Sequence, residues 1–282
     1  MEIRPDRILA PVDLSEPAQA ALEAAKSLAA DTGAGLDLVT VVEFPPMLGL
    51  SGAETSALSR QWKEYRGWAT AELQKHAAEL PKAKRRLRLA EGTPAVVLGR
   101  LARSGDYGLV VMGTHGYSGV KHVVFGSVAE ALVRVAKCPV LTIPLASRFD
   151  RPKRVLLPYN MAGYADAALR RGVAFADSWG ASVTALYVAE DPSQAAAAVE
   201  KLNARLGDVL GADEAQRVSA VVREGRSDRG ILEEAVAGRH DLVVLAAHRK
   251  TFWQDAVLGM TAERILRHSP IPVLSVPSDA KK

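Results

Sequence analysis

The chain is one unit written twice. Residues 91–144 align with residues 224–277 without a gap, at a constant shift of 133. Glu91-Gly92 falls on Glu224-Gly225, Gly126 on Gly259, Glu130 on Glu263 and Pro139 on Pro272. The openings of the two halves match at a shift of 147, Arg7–Asp13 (RILAPVD) against Arg154–Asn160 (RVLLPYN). Solenoid repeats run to about 20–50 residues. This unit is far longer, so it predicts two domain-sized copies, residues 1–147 and 148–282. The connector around Ala146–Pro152 (ASRFDRP) is short and polar, and Pro152 stops regular structure there.

Within each copy, short apolar runs alternate with helical patterns. In the first, Ile8–Val12 reads as a buried strand. Residues 16–31 read as a helix, with Ala18, Ala21, Leu22, Ala25, Leu28 and Ala29 spaced by three and four. Ser15 can cap its start and Gly33 or Gly35 can end it. Leu36–Val42 is the next strand, followed by a helix-rich stretch with Trp62, Tyr65 and Trp68. Leu87–Ala90 alternates like a strand, 94–104 is helical, and Leu109–Met112 is a buried strand. Residues 127–136 form a helix and Val140–Ile143 a last strand. Alternating β and α segments with Val- and Leu-rich strands predict an α/β fold, a parallel sheet covered by helices on both faces. Ligands of such sheets bind beyond the carboxyl ends of the strands, near a switch in strand order.

Composition narrows the function classes. At 48% hydrophobic and 24% charged residues the chain has ample apolar material to bury, which excludes wholesale disorder. Aromatics are only 5%, so the core must be aliphatic. A single cysteine, Cys138, excludes an intrachain disulfide framework and a Cys-rich zinc module. Before Pro139 at a strand start, it reads as a small buried residue rather than a reactive thiol. No apolar run approaches the roughly 18 residues of a transmembrane helix, and the N-terminus does not read as a signal peptide. The expected compartment is the cytoplasm, with no membrane partner. The net charge of +4 is spread evenly, a net +2 in each half, so nucleic acid is not an expected partner. The basic run Lys82–Arg88 reads as a solvated strand edge.

The most informative segment runs from the end of a predicted buried strand, Met112-Gly113, through Gly116, to Gly126-Ser127 at the start of a predicted helix. Gly113 and Gly116 permit positive φ and close approach of a ligand to the backbone. Successive amides in such a turn can form an anion-binding nest. Ser127 and Glu130 have capping-box spacing, which places Gly126-Ser127 where free helix amides converge. This order suits a phosphate. The same glycines also serve as plain turn formers, and Ser127 as an ordinary cap. Neither G-x-x-x-x-G-K-[ST] nor G-x-G-x-x-G occurs, so a Walker loop and a dinucleotide fingerprint are both excluded.

The pattern G-x2-G-x9-G-S at Gly113, Gly116, Gly126 and Ser127 resembles the ATP-binding signature of universal stress proteins. So do the first-strand end Ala10-Pro11-Val12-Asp13 with Ser15, and the closing Cys138-Pro139-Val140-Leu141. The resemblance covers nearly the whole chain twice, as in a tandem member. It implies two flavodoxin-like or Rossmann-like domains, each with a five-stranded parallel sheet. It also implies an adenine nucleotide, ATP, in the first domain. Residues matching Pro11, Val12, Asp13 and Val41 would surround the adenosine. Asp13 would accept from ribose hydroxyls; its alternative role is to cap the next helix. Residues matching Met112, Gly113, Gly116, Gly126, Ser127 and Val128 would line the nucleotide. A divalent ion such as Mg²⁺ can accompany the phosphates, held mostly by them and by water.

The second half departs from the pattern. Ala246, Arg249 and Met260 stand where Gly113, Gly116 and Ser127 stand in the first, and Asn160 replaces Asp13. The expectation is a degenerate motif that does not hold ATP in the usual mode. Family members commonly dimerise through antiparallel last strands, so the resemblance implies that Val140–Ile143 and Val273–Val276 pair within the chain as a pseudo-dimer. A further homodimer stays open. Of the six histidines, His115 and its repeat partner His248 suggest a shared structural job, and no metalloprotease motif occurs. The expected function is ATP-binding stress-response regulation, with an ordered Gly113–Gly126 loop seen by unidentified protein partners. Slow ATP hydrolysis on the same fold and a nucleotide-free scaffold are the alternatives.

Overall fold

The computed structural model describes residues 5–15, 18–44, 51–114, 125–145, 147–247, 249–252 and 255–278. The first half runs β1 (Arg7–Pro11), α1 (Ala18–Thr32), β2 (Gly35–Val42), α2 (Gly52–His76), β3 (Arg85–Glu91), α3 (Pro94–Arg103), β4 (Leu109–Gly113), α4 (Ser127–Val135) and β5 (Val140–Ile143). The second runs β6 (Arg154–Pro158), α5 (Asp166–Asp177), β7 (Ser182–Ala189), α6 (Ala195–Leu210), α7 (Ala212–Ala215), β8 (Val218–Glu224), α8 (Ser227–Ala237) and β9 (Leu242–Ala247). It continues with a hairpin, β10 (Arg249–Phe252) and β11 (Asp255–Leu258), then α9 (Met260–His268) and β12 (Val273–Pro277). The hairpin occupies the segment that aligns with residues 116–125 of the first half.

Each half is a five-stranded parallel sheet, ordered β3-β2-β1-β4-β5 in the first and β8-β7-β6-β9-β12 in the second. The two join into one ten-stranded sheet because β5 and β12 pair antiparallel, Leu141 opposite Leu274 and Val140 opposite Ser275. The pairing leaves neither last strand as an open edge, which is otherwise a template for aggregation. The outer edge β3 carries the basic run instead. There Arg86 and Arg88 alternate outward while Leu87 and Leu89 turn in.

Two cores cover the sheet. One packs α1, α2, α5 and α6 on one face; the other packs α3, α4, α8 and α9 on the opposite face, and both run through the two halves. Helix α1 illustrates the logic: all six positions of its three-and-four spacing are buried. Gly33 at φ +75° then turns the chain into β2, a conformation that glycine adopts without cost. Fully buried leucines such as Leu22, Leu36 and Leu141 each contribute roughly 1.5–3 kcal/mol. Strand β11 of the second half packs on α4 of the first. Leu258 at its end is buried with Phe125 and Leu132.

Candidate functional site

In the first half the strand order reverses between β1 and β4. The chain runs outward from β1 to β2 and β3, then returns to the other side of β1. The crevice beyond the carboxyl ends of these strands is where such sheets place ligands. A cleft of about 320 Å³ opens there, within the roughly 300–1,000 Å³ usual for small-molecule sites. Pro11, Val12, Asp13, Val41, Met112, Gly113, Gly126, Ser127 and Val128 all line it. Gly116 lies outside the described residues. Sequence reasoning did not anticipate Ala18, Val39, Thr40, Tyr65, Pro94, Leu98, Thr114 or Ala129, which also line the cleft. Of these, Tyr65 comes from α2, whose position over the cleft is set by tertiary packing and has no local signal.

One end of the cleft is built by backbone. The amide of Gly126 donates to the Thr114 carbonyl at 2.8 Å, and the Thr114 amide donates to Ile143 at 3.1 Å, so the two ends of the glycine segment are tied together at the tip of β4. A β-carbon on Gly126 would lie 3.0 Å from the Thr114 oxygen, tighter than side chains normally tolerate. Gly126 is the N-cap of α4, at φ −62° and ψ 140°, and its carbonyl accepts from the Glu130 amide at 2.9 Å. Helical geometry therefore leaves the amides of Ser127, Val128 and Ala129 without an intrahelical acceptor, aimed out of the positive end of the helix. The expected capping box does not form. Ser127 is the first helical residue and Gly126, which has no side chain, is the cap, while Glu130 pairs with Arg134 at 2.5 Å. Ser127 is exposed at the cleft, and its hydroxyl has no partner among the described residues. Gly113 stays in β4, in register with Ile143, so its contribution is the close approach of main chain rather than a left-handed turn.

The other end offers a carboxylate and apolar walls. Asp13 follows β1 in a tight turn in which Leu14 takes the left-handed φ of 61°. The amide and hydroxyl of Ser15 both donate to Asp13 Oδ1, at 3.0 and 2.5 Å. Ser15 thereby orients the carboxylate, and Oδ2 has no donor among the described residues. Thr40 donates to the Val12 carbonyl at 2.9 Å, locking β1 to β2 beneath the site. Val39, Val41, Pro94 and Leu98 supply the apolar surface.

The second half keeps a cleft of nearly the same size, about 340 Å³, between the ends of β6, β7 and β9 and the start of α9. Its mouth has different chemistry. The turn is retained, with Met161 at φ 61°, and Asn160 Oδ1 accepts from the Ala162 amide at 3.2 Å. The other end of the Asn160 amide, where Asp13 has its uncommitted oxygen, donates to the Tyr164 hydroxyl. Met260 replaces Ser127 and is 74% exposed, so the helix start carries an apolar chain in place of a hydroxyl. Tyr159, in place of Val12, donates to Asp166 Oδ1 at 2.5 Å and accepts from Arg205 Nε at 3.2 Å. His248 and the Phe252-Trp253 side chains lie outside what the structure describes.

Two phenols are held neutral by their surroundings. Burial and then the hydrogen bond to Asp166 push the Tyr159 hydroxyl from about 10 up to about 12. Burial, followed by the charge of Asp37 and the hydrogen bond to it at 3.0 Å, does the same for Tyr107. A folded-state value above the unfolded one favours the protonated phenol in the fold. That stability is complete below pH 10 and is lost as the pH rises toward about 12. Denaturant titrations should show unfolding free energy falling across this window, and less steeply in a Tyr107→Phe, Tyr159→Phe variant. Equal slopes in the two proteins would contradict the assignment.

Among the described residues, no helix is long and apolar enough to cross a membrane. The family model described as "Universal stress protein family" matches the chain twice, over residues 5–144 and 152–277. A universal stress protein of Methanocaldococcus jannaschii is 30% identical over 137 residues, spanning 49% of this chain and 81% of the relative. Universal stress protein A homolog 1 of Coxiella burnetii is 33% identical over 141 residues, 48% of this chain and 94% of its own. The fold of the whole chain matches the crystal structure of a universal stress protein from Archaeoglobus fulgidus with a TM-score of 0.69 at 20% identity, covering 96% of this chain and 98% of that one. With two family matches laid end to end and the doubled sheet that they require, the chain belongs to the universal stress protein family.

Proposed function

We propose that the first half, residues 1–147, binds ATP in the β1–β4 cleft, and that the chain is a nucleotide-binding regulator of a stress response. The reading rests on one observation above all. Three consecutive helix amides, at Ser127, Val128 and Ala129, and the oriented carboxylate of Asp13 face the same cleft across apolar walls. Amides and the Ser127 hydroxyl suit a polyphosphate, since hydrogen bonds to a charged acceptor are the stronger kind. Asp13 Oδ2 suits ribose hydroxyls, and Val39, Val41, Pro94 and Leu98 suit a base. No cluster of three or more metal-ligating side chains occurs among the described residues. A divalent ion accompanying ATP would be held mostly by phosphates and water.

In this reading the second half, residues 148–282, is mainly structural. Its Asn160 is committed to Tyr164, and its helix start carries Met260. It also buttresses the first site, because β11 packs on α4. Mass spectrometry of small molecules released from the purified protein tests the proposal. ATP is expected. ADP with measurable turnover would move the reading to hydrolysis, and no nucleotide even after incubation with excess ATP would replace it with a scaffold.

A further inference from the structure

Helix α2 carries an exposed row of rings. Phe44 meets Trp62 edge-on at 4.9 Å, Trp62 lies 5.7 Å from Tyr65, and Tyr65 stacks with Trp68 at 5.6 Å and 29°. Tyr65 and Trp68 are 45% and 46% exposed. Rings at i, i+3 and i+6 on a helix share one face, but a face turned to the core would bury them. Only Tyr65 of the three also lines the first cleft.

Its place in the cleft follows from its neighbour. Arg66 pairs with Glu91, at the carboxyl end of β3, at 3.1 Å. Tyr65 therefore stands over the β2–β3 side of the sheet, beside Val41. The free amides of α4 follow β4, on the other side of β1. The two features flank the cleft from opposite sides. Trp62 and Trp68 flank Tyr65 in the row, with ring centroids 5.7 and 5.6 Å from the Tyr65 ring, and Tyr65 itself lines the cleft. These ring contacts restrict the side chain before a ligand arrives, so less side-chain entropy is lost on binding. Aromatic rings pack against other planar aromatic systems in offset-stacked or edge-to-face arrangements.

We propose that Tyr65 is a specificity-determining residue, whose ring closes the base side of the cleft and selects a nucleotide with a planar aromatic base over a bare polyphosphate. The inference rests on the nucleotide reading of the cleft. Among the described residues, α6 contributes nothing to the second cleft, whose tyrosines come from the segment after β6 (Tyr159 and Tyr164) and from β7 (Tyr187).

Calorimetric titration of the full chain with ATP and with inorganic tripolyphosphate tests it in wild type, Tyr65→Ala and Tyr65→Phe. Cutting an aromatic side chain that packs on a base back to alanine weakens binding by about 5- to 100-fold. Tyr65→Ala should weaken ATP by that much and leave tripolyphosphate unchanged, while Tyr65→Phe keeps the wild-type preference. ATP binding that survives Tyr65→Ala unchanged, or that is lost equally in Tyr65→Phe, overturns the role of the ring. Wild-type protein that binds neither compound overturns the cleft reading and the inference with it. Far-ultraviolet circular dichroism checks that the variants remain folded, as expected for an exposed position.

Discussion

Replacing Gly126 with valine should weaken ATP binding by about 100-fold or more, because two charge-assisted hydrogen bonds lost at about 1.5–3 kcal/mol each already reach that figure. The cause is steric and local. A β-carbon at this position lies 3.0 Å from the Thr114 carbonyl oxygen, against main chain that is itself bonded to β5. The segment can relieve the clash only by stretching the 2.8 Å bond from Gly126 to Thr114, which moves the first turn of α4 and its free amides. Valine then adds two methyl groups at the same lip. Gly126 has an ordinary negative φ, so no left-handed strain is added and the fold should persist. Calorimetry measures the affinity, and thermal denaturation confirms the fold. Wild-type affinity in this variant would place the phosphates elsewhere.

Leu274→Ala should destabilise the chain by about 3 kcal/mol, within the roughly 2–5 kcal/mol range for a buried leucine cut to alanine. Leu274 is 0% exposed and faces Leu141, also 0% exposed, across the antiparallel seam between β5 and β12. Both side chains belong to the core that runs through the two halves. A cavity there opens at the middle of the ten-stranded sheet, where neighbouring strands are fixed on both sides and cannot collapse into it. Urea titration reads the loss as a lower midpoint with an unchanged slope. A loss below about 0.5 kcal/mol, the size of an ordinary surface effect, would mean that the halves are stable without the seam.

The doubled fold was legible because each element had a local signal that agreed with the global one. The spacing in α1, the unbroken apolar runs in β1 and β4, and the gapless register of 91–144 on 224–277 all describe the same architecture. Gly126-Ser127 was legible as a helix start for the same reason. The role of Ser127 was not, because Ser-x-x-Glu spacing fits both a cap and a first helical residue, and the bond from Gly126 to Thr114 decides between them. Tyr65 was hidden for a different reason. It reaches the cleft through the packing of α2 on the sheet, and no pattern within the helix encodes that. The hairpin β10–β11 was obscured because each strand has only four residues and β10 is mostly polar. The second cleft shows the limit of motif reading. Strand ends and a helix start maintain its volume, while Asn160, Tyr164 and Met260 change what its mouth presents.

The central claim is that one half of a duplicated chain carries the nucleotide. Equilibrium titration of ligand-stripped full-length protein with ATP measures this most directly, through the number of molecules bound per chain at saturation. The account predicts one, reduced to none at the same concentrations by Gly126→Val. Two per chain, or one that persists undiminished in Gly126→Val, would contradict it.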